Sequence, residues 1–241
     1  MTSRLVSVAV DSADPVASAR WWARALGWRV VASEPDEVEI APAEAREPTL
    51  VFLAVAEPKT VKNRIHPDLA SQSARDQRET VDRLVAAGAT PVDIGQREVP
   101  WVVLADPFGN ELCVLEPRDR YRDAGALAAV VVDALDPSEL AGFWAAATGW
   151  TVGFEADGIT SLHHPRDRPP DLDFVRVGEP KRTKDRLHLD LVAPGGDVGA
   201  EVQRLVGLGA VPADVGQGDV PWAVLADPEG NELCVLPSRD V

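Results

Sequence analysis

The sequence is poor in the residues that mark secreted, membrane-spanning and nucleic-acid-binding proteins. Only two of its 241 residues are cysteine, which is too few for a disulfide framework, so we expect two reduced thiols. No apolar run approaches the roughly 20 residues that cross a bilayer, and no signal-peptide core is evident. Basic residues are scarce, with 24 Lys and Arg against 39 Asp and Glu. The net charge of −15 disfavours nucleic acid and anionic membranes as partners, and we expect a cytoplasmic protein.

One segment of the chain occurs twice. Residues 99–115 and 220–236 both begin with Val-Pro-Trp and both contain Leu-Ala-Asp-Pro-x-Gly-Asn-Glu-Leu-Cys-Val-Leu. Asp, Pro and Gly occupy the first, second and fourth positions of this turn, as a type I turn favours. Apolar residues flank the turn on both sides. The pattern therefore predicts two equivalent hairpins.

The repetition extends over nearly the whole chain. Each half begins with a β-rich run and an Asp-Pro helix start, at Asp14-Pro15 and Asp136-Pro137. Three strand candidates follow, and the order of strand, helix and three strands then repeats, with the second helix expected at residues 78–87 behind an Asp76 cap. We predict an α+β fold of four βαβββ units, two in residues 1–118 and two in residues 126–241. Residues 119–125 are expected to form an exposed linker.

At this point the sequence resembles the glyoxalase, bleomycin-resistance and extradiol-dioxygenase superfamily, also called the vicinal oxygen chelate superfamily. The matching features are the Asp-Pro-x-Gly-Asn hairpins, the Asp-Pro helix starts, and the Arg-x-His-x-Asp strands at Arg64 and Arg186. The resemblance implies curved mixed sheets that enclose a cup for a small-molecule ligand. It also implies that the two halves pair like a fused homodimer, with two similar pockets in a monomer or weak dimer.

Strand alternation identifies the residues that face these pockets. His66 and Asp68 share one strand face, as do His188 and Asp190, and we take these four as candidate catalytic residues because imidazole suits proton transfer near neutral pH. The same alternation and the hairpins supply the candidate ligand-binding residues, which are Arg64, Trp101, Glu111, Cys113, Arg186, Trp222, Glu232 and Cys234.

The sequence lacks part of the set of metal ligands that the superfamily pattern contains. The resemblance implies a ligand on the first strand, a histidine matching His66 or His188, and a glutamate on the final strand. Leu5 and Leu127 stand at the first position. Cys113 and Cys234 stand at the glutamate position, with Glu111 and Glu232 two residues earlier. Two ligands are fewer than the three of a typical catalytic site, so we expect no catalytic metal.

Three functions stay open at this stage. The first is metal-free binding of a small organic metabolite or drug-like ligand. The second is a lyase, isomerase or ring-opening enzyme that uses Zn, Fe, Mn or Ni, with His66, Glu111, His188 and Glu232 as ligands. The third is a metal-free acid–base enzyme with a His-Asp pair. Structural roles are also open: a hydrogen-bonded histidine, a buried cysteine, and a solvated Lys181–Lys184 run that alternatively brings positive charge to a pocket mouth.

Overall fold

The computed structural model describes residues 2–44, 48–96, 98–166 and 170–237. Within these ranges the chain forms two open, mixed sheets of eight strands each. Four α-helices accompany the sheets in the described residues, and the order of elements is strand, helix and three strands, repeated four times. The predicted α+β fold of four βαβββ units is confirmed.

The first half of the chain contains two units. The elements of the first unit are β1 (Arg4–Ser12), α1 (Pro15–Leu26), β2 (Arg29–Ser33), β3 (Glu37–Ala41) and β4 (Thr49–Ala54). Those of the second unit are β5 (Ile65–Leu69), α2 (Ala74–Ala86), β6 (Thr90–Pro91), β7 (Val102–Ala105) and β8 (Glu111–Val114).

The second half repeats this order. The elements of its first unit are β9 (Leu127–Ala134), α3 (Pro137–Thr148), β10 (Thr151–Ala156), β11 (Ile159–His163) and β12 (Asp171–Arg176). Those of its second unit are β13 (Leu187–Val192), α4 (Val198–Gly207), β14 (Val211–Pro212), β15 (Ala223–Ala226) and β16 (Glu232–Leu236).

Each sheet combines one unit from each half. The strand order is β14-β15-β16-β13-β1-β4-β3-β2 in one sheet and β10-β11-β12-β9-β5-β8-β7-β6 in the other. The units meet through antiparallel pairs, β1 with β13 and β5 with β9, in which Ala9 lies opposite His188 and His66 lies opposite Val131. Each candidate histidine therefore lies on a strand that pairs with the other half of the chain.

The helix starts follow the sequence signals. Asp14 accepts a hydrogen bond from the Ala17 amide at 2.9 Å, and Pro15 occupies the first helical position of α1. Gly27 ends this helix in the left-handed conformation, with φ of 67°. Asp136 caps α3 in the same way. None of the helices in the described residues is long and apolar enough to cross a membrane.

Two local expectations were wrong. Helix α2 begins at Ala74 rather than near residue 78, because Ser73 provides the cap by accepting from the Asp76 amide at 3.1 Å. Only Leu84 of this helix is buried, so its first turn carries no apolar signal. The segment expected to be an exposed linker contains a 3₁₀ turn at Asp119–Tyr121, and Tyr121 is buried because it packs on the sheet formed by β5–β12.

Candidate functional site

Two clusters of identical composition lie in the two sheets. His66, Asp68 and Cys113 form the first, named here the His66 triad. His188, Asp190 and Cys234 form the second, the His188 triad. In each triad, one imidazole nitrogen, one carboxylate oxygen and the sulfur all lie within 4.8 Å of one another. The structure thus brings together six of the sequence-predicted site residues.

Strand pairing and alternation create both triads. Asp68 lies opposite Cys113 where β5 runs parallel to β8, and Asp190 lies opposite Cys234 where β13 runs parallel to β16. His66 and His188 come two residues before these aspartates and so share their face. On the other face of β13, Leu187, Leu189 and Leu191 are buried in the main core. The predicted separation of polar and apolar faces is confirmed.

The His66 triad is buried and has incomplete hydrogen bonding. His66 Nε2 lies 3.5 Å from Asp68 Oδ1, which is long for a hydrogen bond. His66 Nδ1 and Asp68 Oδ1 are both buried without a hydrogen-bond partner. Burial, and then the Lys62 ammonium, lowers the pKa of His66 to about 3. Burial, and then Asp173, raises the pKa of Asp68 to about 7.

The His188 triad has a different environment. Ser7 donates to Asp190 Oδ2 at 2.8 Å, whereas the matching position in the other sheet is Ala129. Burial alone lowers the pKa of His188, but hydrogen bonds with Asp190 and Cys234 raise it well above its ordinary value. His188 Nε2 lies 3.3 Å from Asp190 Oδ1. Triads of identical composition thus shift the pKa values of their histidines in opposite directions, downward for His66 and upward for His188.

A cavity of about 740 Å³ opens beside the His66 triad, and all three triad residues line it. Apolar walls come from both halves, including Trp101 and Leu115 from the first and Phe154 and Val175 from the second. Arg118 stacks over the Trp101 ring at 5.7 Å from its centroid, and Arg120 stacks over Phe154 at 5.0 Å. The volume is typical of small-molecule sites. Polar and charged side chains line the cavity together with the apolar walls.

Several residues that line the cavity were not predicted as site residues from the sequence. Asp173 on β12 accepts from Arg120 at 2.7 Å and from the Tyr121 hydroxyl at 3.0 Å. It aligns with Val51 of the first half, because each lies opposite an equivalent first-strand residue, Val131 and Ala9. The sequence therefore contained one signal for this site residue, which is an aspartate in the second half where the first half has a valine. Arg118 and Arg120 gave none, since Arg118 ends the first half and Arg120 lies in the expected linker, where no site residue was predicted.

Four predicted site residues lie apart from both triads. Glu111 accepts from Lys59 at 2.6 Å and from the Asn63 amide at 3.1 Å, and Glu232 accepts from Lys181 and the Asp185 amide in the equivalent way. Arg64 donates to the Glu179 carbonyl at 3.0 Å, and Arg186 donates to the Glu57 carbonyl in the equivalent way. These arginines link the two halves, and the glutamates anchor the segments that precede β5 and β13.

The aromatic and lysine predictions have mixed outcomes. Trp101 lines the His66 cavity, whereas Trp222 is 37% exposed. Trp22 and Trp144 lie in the core. Lys181 pairs with Glu232 at 2.5 Å and is largely buried, so the Lys181–Lys184 run is not simply a solvated segment.

The fold and these triads define a tandem βαβββ protein with repeated polar clusters on strand faces. The family model of the glyoxalase-like domain matches residues 7–115 and 129–236, and the chain belongs to this family. No curated protein is a sequence match for the chain.

Solved structures confirm the fold over nearly the full length of the chain. Glyoxalase I from Zea mays is 13% identical, with a TM-score of 0.65 and coverage of 98% of this chain and 92% of that one. A putative dioxygenase from Bacillus subtilis is 12% identical, with a TM-score of 0.60 and coverage of 98% and 86%. At these identities the similarity establishes a shared fold.

Proposed function

We propose that the protein binds a small organic molecule in the His66 cavity, with a planar apolar part between Trp101 and Phe154. The observation that carries this proposal is the cavity of about 740 Å³ whose walls come from both halves and whose polar groups include the His66 triad. Stacking on Trp101 adds to burial of apolar surface, so an aromatic ligand fits these walls best. Binding needs no metal in this proposal.

Fluorescence titration with 1-naphthol tests this function. We expect saturable quenching in the natural protein and at least tenfold weaker binding in Trp101→Leu, which removes the stacking surface. Trp222→Leu is the matched control, since it changes the equivalent residue of the second half outside this cavity. Equal binding by the natural protein and Trp101→Leu contradicts the assigned position, and absence of saturable binding contradicts the proposal.

A divalent-metal enzyme is the second candidate, because the His66 triad fits a metal better than the sequence indicated. The sequence offered His66 and Glu111 as ligands, whereas the structure places Glu111 elsewhere and brings Asp68 and Cys113 to His66, so that three donors lie together. The buried Asp68 Oδ1 has no hydrogen-bond partner and lies 3.5 Å from His66 Nε2, so a cation held by the triad would supply the missing partner. Nitrogen, oxygen and thiolate ligands favour Zn²⁺. A bound divalent ion supplies Lewis-acid polarisation of a substrate oxygen.

Elemental analysis separates these two candidates. The protein is purified without chelator or nickel resin, and Cys113→Ser is compared with Cys234→Ser. Substoichiometric Zn, Fe, Mn and Ni supports metal-free binding. One tightly bound ion per chain that is lost in Cys113→Ser and kept in Cys234→Ser supports the metal enzyme at the His66 triad.

The metal-free acid–base alternative assigns its proton to Asp68 rather than to His66. The raised pKa of Asp68, about 7 because of burial, lies near neutral pH, whereas His66 stays neutral over that range. A group that titrates near the working pH is the better proton shuttle. Loss of substrate turnover in Asp68→Asn with retained naphthol binding supports this alternative.

A further inference from the structure

A second cavity adjoins the His66 cavity. It has a volume of about 460 Å³ and shares Lys62, Ile94, Asp133 and Val177 with the first. Its remaining walls come from the segments that join the two units of each half, mainly residues 177–186 between β12 and β13. We name this second cavity the basic cleft. A ligand that fills the His66 cavity can therefore continue past Lys62 into the basic cleft.

Positive charge is concentrated in the basic cleft. Six of its lining residues are cationic, which are Lys62, Arg64, Lys181, Arg182, Lys184 and Arg186, and three are acidic, which are Asp133, Glu179 and Asp185. The chain as a whole has a net charge of −15. Three carboxylates behind the lining, those of Asp11, Glu229 and Glu232, pair with Lys184, Arg64 and Lys181. The cations that face the cleft still outnumber the carboxylates that face it, and this arrangement favours an anion beside an apolar site.

Lys62 and Lys184 lie closer to solvent than the carboxylates that pair with them. The other paired cations of the cleft, Arg64, Lys181 and Arg182, are about as exposed as their partners Glu229, Glu232 and Glu179. The Lys62 side chain is 33% exposed and its partner Asp133 is 11% exposed. The Lys184 side chain is 41% exposed and its partner Asp11 is 5% exposed. The ammonium groups therefore stand between the buried acids and the cleft. Arg182 adds a guanidinium whose side chain is 72% exposed.

Arg186 provides independent evidence that the cleft is not saturated with internal bonds. Its Nη1 and Nη2 donate to the Glu57 and Asp11 carbonyls, but its Nε is buried without a partner. The equivalent nitrogen of Arg64 donates to Asn231 at 3.1 Å. One guanidinium of the pair thus retains an unused donor, as expected where a ligand oxygen completes the set.

We propose that the ligand of the His66 cavity carries an anionic group, a carboxylate or a phosphate, that occupies the basic cleft while its apolar part lies against Trp101. This inference rests on the proposed function and adds the chemical class of the ligand. Lys62 stands where the two cavities meet, and Arg182 and Lys184 supply the outer positive charge. This anionic group of the ligand, named here the anionic arm, decides which planar molecules bind.

Three matched probes test this inference: 1-naphthol, 1-naphthaleneacetate and 1-naphthyl phosphate. They share one ring system and differ in charge, and isothermal titration calorimetry measures each affinity. We expect at least one anionic probe to bind about tenfold more tightly than 1-naphthol at low salt, with most of that advantage lost near 0.5 M salt because the cleft is open to solvent. The tighter of the two anions identifies the preferred group.

Charge-changing variants locate the effect. Arg182→Glu is expected to abolish the advantage of the anionic probes and to leave 1-naphthol binding unchanged, and Lys184→Gln is expected to reduce that advantage. Arg75→Glu is the charge-matched control, because Arg75 is 80% exposed on α2 and lines neither cavity. If Lys184→Gln does not fold, the exposed Arg182 still decides the result.

The outcomes distinguish the two proposals. Equal affinities for all three probes overturn the anionic arm and leave the His66 cavity as a binding site. An anionic advantage that survives Arg182→Glu and Lys184→Gln also overturns the assignment to the basic cleft. If none of the probes binds, the proposed function fails, and the anionic arm fails with it.

Discussion

The indole nitrogen of Trp22 donates to Asp106 Oδ2 at 2.9 Å and so ties helix α1 to the turn between β7 and β8. Asp106 Oδ1 also accepts from the Phe108 and Asn110 amides, both at 2.8 Å. Trp144 and Asp227 repeat the arrangement at 3.1 Å in the second half. The Asp-Pro-x-Gly-Asn turn thus joins two units of each half, which explains its repetition without any chemical role.

Replacing Trp22 by Phe tests this link. The variant keeps an aromatic core residue but leaves buried Asp106 without one donor, so we expect unfolding to become about 1–3 kcal/mol easier. Urea unfolding measures the change. Trp21→Phe is the control, since its indole donates to the Ala87 carbonyl in an exposed position. A cost for Trp22→Phe no larger than that for Trp21→Phe contradicts the structural role of the Trp22–Asp106 bond.

The sequence predicted the parts of the fold that depend on local patterns. The Asp14 and Asp136 caps and the alternation in β13 both follow from near-neighbour chemistry. The sequence could not predict that the first and fourth units share a sheet. That pairing joins strands far apart in the chain, and no local pattern specifies it.

The site was predictable only in part for the same reason. His66, Asp68 and Cys113 share a face because alternation and parallel pairing are simple rules. The pKa shifts of the two triads differ because of neighbours such as Lys62, Asp173 and Ser7, which reach the triads from other strands or loops. Counting ligands along one strand at a time therefore underestimated the donors available to a metal.

Arg120 is expected to stabilise the cavity wall through Asp173. Asp173 is 2% exposed, and Arg120 also donates to Ser161 at 2.8 Å. Arg120→Met leaves a buried carboxylate with the Tyr121 hydroxyl as its remaining side-chain donor, so we expect a loss of about 2–4 kcal/mol in thermal or urea unfolding. Combining it with Asp173→Asn should recover part of the loss.

Arg122→Met is the matched control for Arg120. Arg122 pairs with Asp119 on the surface, where side chains are 71% and 92% exposed, so its loss should change stability by less than about 0.5 kcal/mol. Equal effects of the two substitutions contradict the importance of the Arg120–Asp173 pair.

We expect residue 153 to tolerate only glycine, because the ring of His163 on the neighbouring strand fills the space that a side chain would need. A Cβ atom at residue 153 lies 1.7 Å from His163 Cδ2, and this imidazole is held by Asp171 at 2.8 Å. Gly153→Ala should therefore cost about 1–3 kcal/mol of unfolding free energy by displacing the ring. The cost should shrink in a His163→Ala background, and an additive double-mutant cycle contradicts the clash.

The Asp185 carboxyl makes the free energy of unfolding depend on pH. Burial, and then the nearby Glu232 carboxylate, raises the pKa of Asp185 to about 8, although Lys181 opposes the shift. The folded protein therefore holds a proton that the unfolded chain releases above about pH 4. The contribution to folding is fully present at acid pH and is lost as pH rises from about 4 to about 8.

The first-half residue equivalent to Asp185 suggests two reciprocal substitutions, Asp185→Asn and Asn63→Asp. Asn63 stands at this position, and its side-chain nitrogen donates to Asn110 at 3.1 Å. Asp185→Asn cannot titrate, so it should stabilise the protein at pH 8 by about 1–3 kcal/mol relative to its effect at pH 5, as measured by urea unfolding. Asn63→Asp should add a second slope of the same sign as that of Asp185, so that stability falls more steeply between pH 5 and pH 8. Parallel stability profiles for Asp185→Asn and the natural protein between these pH values contradict the proposed titration of Asp185.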